Sequence, residues 1–63
     1  MSGQELLPLD KQWCVVRTTG GQIYTGTIHV QGEQILLLTP VSHVMFPCEA
    51  IAFAEAVASL APG

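Results

Sequence analysis

The sequence predicts an all-β chain, a single small barrel of five short strands, on three observations. Five β-prone runs follow one another at close spacing. Turn chemistry separates them at about residues 18–21, 31–33, 39–40 and 47. Two of the runs are apolar on both alternating faces, as in strands covered from two sides.

Ahead of the strands, Ser2 to Asp10 holds one amphipathic scrap, Leu6, Leu7 and Leu9, broken by Pro8. It is too short for an independent helix and packs at most as a single helical turn. The first strand is Trp13 to Arg17, W-C-V-V-R, β-branched and aromatic. Thr18-Thr19-Gly20-Gly21 follows, where glycine reaches the positive φ of a tight hairpin.

The second strand is Gln22 to Val30. Gly26 lies in its middle and marks a bend or a close backbone approach, so that one strand serves two sheets. Gln31-Gly32-Glu33 turns the chain into a third strand, Gln34 to Leu38, which Thr39-Pro40 ends because proline has no N–H for a ladder. Val41 to Phe46 is the fourth strand, Pro47 breaks it, and Ala50 to Ala54 is the fifth. The alanine-rich segment from Glu49 to Leu60 also fits a helix with Ile51, Ala54, Ala58 and Leu60 on one side, and periodicity alone leaves both readings open. Ala61-Pro62-Gly63 reads as a frayed end.

With 63 residues the chain holds one domain, and a domain of that size buries only roughly 60% of the surface its unfolded form exposes. Yet 49% of its residues are hydrophobic, more than a lone domain so small needs. The surplus predicts subunit contacts. Strand four, V-S-H-V-M-F, and strand five, A-I-A-F-A, carry no lysine and little charge to guard an open edge. Pairing strand four of one copy with strand five of the next covers both edges and closes into a homo-oligomeric ring. Val41, His43, Met45, Ile51 and Phe53 are the candidate interface residues.

Several classes of function are disfavoured. Cys14 and Cys48 are two thiols rather than a disulfide framework, and with His29 and His43 they show no paired metal-ligand spacing, so no metal and no cofactor is expected. No segment approaches the roughly 18 apolar residues of a membrane span, and Met1 to Leu9 lacks the basic start of a secretory signal, which reads as a cytoplasmic protein. Five acidic against two basic side chains leave a net charge of −3, repeated in every copy of an assembly and opposed to strong phosphate binding. Ser42 beside His43 is no catalytic pair, because neighbours on a strand face opposite ways, so an enzyme is not expected.

The stretch Val16 to Ile28, V-R-T-T-G-G-Q-I-Y-T-G-T-I, resembles the first motif of the Sm-like family: a hydrophobic strand, Gly21, Tyr24 three on, Gly26 five on, then Ile28. Leu37-Leu38 and Ala50-Ile51 fall, without a gap, where the Hfq-type bacterial RNA chaperones of that family have a leucine pair and an alanine–isoleucine pair. The resemblance covers about residues 13–54. It implies a five-stranded SH3-like barrel assembled as a ring, a hexamer in those chaperones, whose two faces bind RNA. The uridine-pocket triplet of the family falls here on Pro47, Cys48 and Glu49, and its glutamine–phenylalanine pair on Glu33 and Gln34. On the other face, an adenine-stacking tyrosine, a lysine and a glutamine fall on Arg17, Ile23 and Thr25.

Two binding functions follow. A ring of five to seven subunits with weak or selective binding of a short RNA or nucleotide would use Arg17, Gln22, Thr25 and Gln34, whose guanidinium, amides and hydroxyl suit bases and phosphates. Arg17 also fits a solvated strand charge or an intersubunit salt bridge with an acid such as Glu33 or Glu55. An acidic ring could instead serve as a scaffold for a protein partner, anchored on Trp13, Val15 or Ile23. The same stretches are similar in outline to the small SH3-like, trimethoprim-insensitive dihydrofolate reductases. The valine–glutamine–isoleucine–tyrosine run of those enzymes reads His43-Val44-Met45-Phe46 here, without the glutamine or tyrosine.

Overall fold

The computed structural model describes residues 1–57. Ser2 opens a short α-helical turn, α1 (Gly3–Leu6). Its hydroxyl accepts from the Glu5 N–H at 3.2 Å, while the Glu5 carboxylate accepts from the Ser2 N–H at 2.8 Å. This reciprocal capping box satisfies two N–H groups that such a short helix would leave unpaired, and the backbone and hydroxyl bonds of Ser2 hold the Glu5 carboxyl below its usual range. Pro8 cannot continue the α-helix, and the chain tightens into a 3₁₀ turn, Leu7–Leu9. The N-terminal scrap is therefore two turns rather than one. It is anchored by Leu6, which is fully buried. Asp10 also accepts from the Val30 N–H at 2.8 Å.

The strands are β1 (Trp13–Thr18), β2 (Ile23–Gln31), β3 (Gln34–Leu38), β4 (His43–Pro47) and β5 (Ile51–Ala56). They form one antiparallel sheet in the order β4-β3-β2-β1-β5. All five expected strands exist, with shifted ends. The fourth starts at His43 and not at Val41, because Thr39 and Ser42 close the turn between them. The Thr39 N–H donates to the Ser42 carbonyl at 2.8 Å, and the Ser42 N–H donates to the Thr39 hydroxyl at 3.0 Å. Pro47 remains in the ladder opposite Gln34, which an edge strand tolerates. A 3₁₀ turn, Cys48–Ala50, then leads into β5. Residues 51–56 pair with β1, so the helical alternative does not hold for them; Ala58, Leu60 and the expected frayed end at 61–63 lie outside the described residues.

The sheet is not a closed ladder: β4 and β5 are its two edges and do not pair with each other. What bends it is β2. Residues 23–27 pair with β1 and residues 27–31 with β3, so the two halves of one strand serve different neighbours. Gly26 sits just before the change of partner, and a Cβ there would run into the carbonyl oxygen of Leu38 and come within 3.3 Å of the Thr39 Cα. The turn to β3 is a two-residue hairpin in which Gly32, at φ +65°, takes the first central position and Glu33 does not have positive φ, the pattern of a type II′ turn.

The concave side holds the core: Leu6, Cys14, Val16, Ile28, Ile35, Leu37, Cys48 and Ile51, all within about 1% of full burial. In β1 the inward residues are Cys14, Val16 and Thr18, and Trp13, Val15 and Arg17 face outward. Between Arg17 and Thr18 the pairing with β5 slips by one residue, so Phe53 lies opposite Arg17 while Ile51 lies opposite Thr18 and points into the core.

Gly26→Ala is expected to lower stability by about 2 kcal/mol or more, since backbone and not a flexible side chain must give way. Gly20→Ala, whose Cβ would meet only the Thr18 hydroxyl at 3.7 Å, should stay within about 0.5 kcal/mol. Urea unfolding of both variants at one protein concentration checks the contrast, and equal losses would contradict the close approach.

Candidate functional site

The outward row at the end of β1 sets one cation between two apolar side chains. Arg17 lies opposite Ile23 of β2 on one side and Phe53 of β5 on the other. Its guanidinium carbon is 5.8 Å from the centroid of the Phe53 ring, within reach of a cation–π contact. One row along, Val15 lies between Thr25 and Glu55. Val15, Arg17, Ile23 and Phe53 together line a hollow of about 260 Å³. Its floor is apolar and its one charged group is a planar cation, an arrangement suited to a flat, anionic ligand. Within the chain, Glu33 is in the β2–β3 turn, and Glu55, opposite Val15, is one row from Arg17 on the same outward face.

The four candidate ligand residues are not one cluster. Arg17 and Thr25 share the outward face of β1 and β2, in adjacent rows. Gln22 stands just before β2, where its side-chain oxygen accepts from the Tyr24 hydroxyl at 3.1 Å and its N–H donates to the Thr18 hydroxyl at 3.2 Å. Gln34 is at the far end of β2, across the hairpin, and lines a second hollow of about 340 Å³ with Glu33, Pro47 and Glu49. Two of the four lining residues there are acidic, which disfavours a phosphate. The contribution of Phe53 to the first hollow had no signal in the sequence, because it depends on a register between residues 36 positions apart across a bulge.

The interface candidates separate too. Val41 is 92% exposed in the β3–β4 turn, and His43 and Met45 face outward along β4. Phe53 is 42% exposed on β5, whereas Ile51 is 1% exposed and belongs to the chain's own core. Neither thiol is available to a ligand. Cys14 and Cys48 are free and buried, and burial pushes both thiols up, with the Glu33 carboxylate adding to the effect at Cys48. Among the described residues no group of three or more His, Cys, Asp or Glu could hold a metal, and no helix is long and apolar enough to cross a membrane.

A thiolate is the reacting form of cysteine, so burial and a raised pKa both slow modification. At pH 7.5 the folded protein should therefore react with a thiol-specific disulfide reagent far more slowly than the chain in denaturant, which should release two equivalents. A fast native equivalent would contradict the burial of Cys14 or Cys48. Comparison with protein-family models, with curated proteins and with solved structures finds no match.

Proposed function

We propose that this chain is the subunit of a homo-oligomeric ring of the Sm-like type, five to seven copies round, which holds a short RNA or a nucleotide weakly and selectively. The observation that carries the binding function is the hollow at Arg17, with an apolar floor of Val15, Ile23 and Phe53 beneath a guanidinium. A base offers a flat face to such a floor and a phosphate a partner to the cation. Thr25 stands one row along on the same outward face as a neutral hydrogen-bonding group.

Assembly is supported by the two edges. Among the described residues β4 and β5 each pair along one side only, with Met45 50% exposed on one and Phe53 42% exposed on the other. Unprotected edges of this kind invite pairing with another chain. A closed ring satisfies every edge, and one pair of surfaces suffices to build it. The binding is weak because each copy brings a net charge of −3, and because the second hollow, with Glu33 and Glu49, repels phosphates. That same acidity favours a second reading, in which the ring is a scaffold for a protein partner and no RNA is held.

Sedimentation at micromolar concentration should give the mass of five to seven chains. Anisotropy of labelled oligo-A and oligo-U at low salt should then show binding to at least one of them, and Arg17→Ala should weaken it about tenfold, the usual scale for losing a charge-assisted contact, without changing the native mass. An intact ring that binds neither oligonucleotide would leave the protein scaffold. A stable monomer would overturn both readings.

A further inference from the structure

Four of the five acidic side chains have a local setting that accounts for them. The carboxylates of Glu5, Asp10 and Glu33 accept from the backbone N–H groups of Ser2, Val30 and Gly3, and Glu49 lines the hollow at the β2–β3 hairpin. Glu55 remains, exposed on the outward face of β5 and one row from Arg17. Resting on the nucleotide-holding ring proposed above, we infer that Glu55 chooses the base at the Arg17 hollow, and that the base it chooses is guanine.

The outward face around the hollow is a grid of two rows. In the order β5, β1, β2, one row is Phe53, Arg17 and Ile23, and the other is Glu55, Val15 and Thr25. Arg17 and Glu55 are diagonal neighbours on adjacent strands, and such positions stand about 7–8 Å apart. They set a cation and a carboxylate at two ends of the apolar floor that Val15, Ile23 and Phe53 make. A nucleotide matches that polarity: its phosphate is the anion for Arg17, its base lies on the floor, and its Watson–Crick edge meets Glu55.

What that edge must offer follows from the carboxylate, which only accepts hydrogen bonds and does so with two oxygens. Guanine alone among the four RNA bases carries two adjacent donors there, N1–H and the N2 amino group, and satisfies both oxygens at once. Paired charge-assisted bonds of this kind are the strong ones. Adenine and cytosine set one amino donor beside a ring nitrogen whose lone pair the carboxylate repels. Uracil sets one N–H between two carbonyl oxygens that are repelled in the same way. Where the Sm-like resemblance implies adenine at the position of Arg17, this chain therefore takes guanine first, adenine and cytosine weakly, and uracil least.

Competition against a labelled U-U-G-U-U RNA, with the full chain at low salt, tests the choice. 5′-GMP should compete about tenfold better than 5′-AMP and better still than 5′-UMP. 5′-IMP keeps N1–H and lacks the amino group, and should lose about tenfold against GMP, the usual scale for one bond to a charged group. The same exchanges at the central base of an unlabelled five-nucleotide RNA separate the two sources of guanine. Competition by mononucleotides assigns the hollow to a free nucleotide, and competition by the guanine RNA alone assigns it to a base within a chain; both uphold the preference.

Glu55→Gln should lower the affinity for guanine about tenfold and raise that for uracil, with the native mass unchanged. A carboxylate that only repels phosphate, or only pairs with Arg17, shifts all four bases in one direction on that substitution, and such a result would overturn the assignment. Equal competition by guanine and inosine would overturn it too. If oligo-A or oligo-U binds and guanine earns no preference, the choice of base is wrong and the nucleotide-binding ring stands. An intact ring that binds no RNA or nucleotide at all overturns both.

Discussion

The close contact at Gly26 is the constraint on which the rest of the structure depends. Because no side chain stands there, the backbone of Leu38 and Thr39 can lie against β2 just where that strand exchanges β1 for β3 as its neighbour. Without that approach, β2 would be a straight nine-residue strand, and the sheet would have no concave side in which Ile28, Ile35 and Leu37 meet Cys14, Val16 and Ile51. A chain this short cannot cover a flat sheet with helices; it has one buried leucine on two short turns for that purpose. Curvature lets the sheet cover itself.

Among the described residues the same curvature leaves the two edges bare. In a larger domain an edge strand is shielded by a helix, a loop or lysines. Here β4 offers His43, Met45 and Pro47 to its outer face and β5 offers Phe53 and Glu55, with no lysine on either. The two edges are different in sequence yet alternate in the same manner, which suits a head-to-tail contact between copies better than a two-fold one: β4 against β4 would set Met45 and His43 against themselves and leave β5 open. An apolar composition excessive for a monomer becomes reasonable once each copy shares two edges.

Much of this architecture was legible in the sequence, because its signals are local. Turn glycines at 20–21 and 32, the isolated Gly26 and the prolines at 40 and 47 divide the chain into the right number of strands. The errors of boundary came from hydrogen bonds that composition does not reveal, such as the Thr39–Ser42 closure that delays β4. Ile51 was legible as a strand residue but not as a core residue, since the bulge opposite Arg17 decides which way it points. The candidate site was less legible still. Arg17 stands out as one of two basic residues, but the neighbours that give it a setting, Ile23 and Phe53, are supplied by two different long-range registers. Gln34 looked equivalent to Gln22 in sequence and lies at the opposite end of β2.

Charge is distributed so that the two hollows cannot share a ligand. Glu33 and Glu49 flank the one at the β2–β3 hairpin, while Arg17 is the charged residue among the described ones that line the other. In a ring, symmetry repeats each hollow around the axis, and the field of each grows with the number of copies. A cyclic assembly of this chain would therefore present an acidic side around the hairpin hollows and, around the others, single cations on an apolar floor with Glu55 one row away. The acidic side would keep an anionic ligand from binding in both places, and the low charge of the other would limit affinity and favour shape and stacking as the basis of choice. In such a ring, selectivity at modest affinity would follow from that polarity.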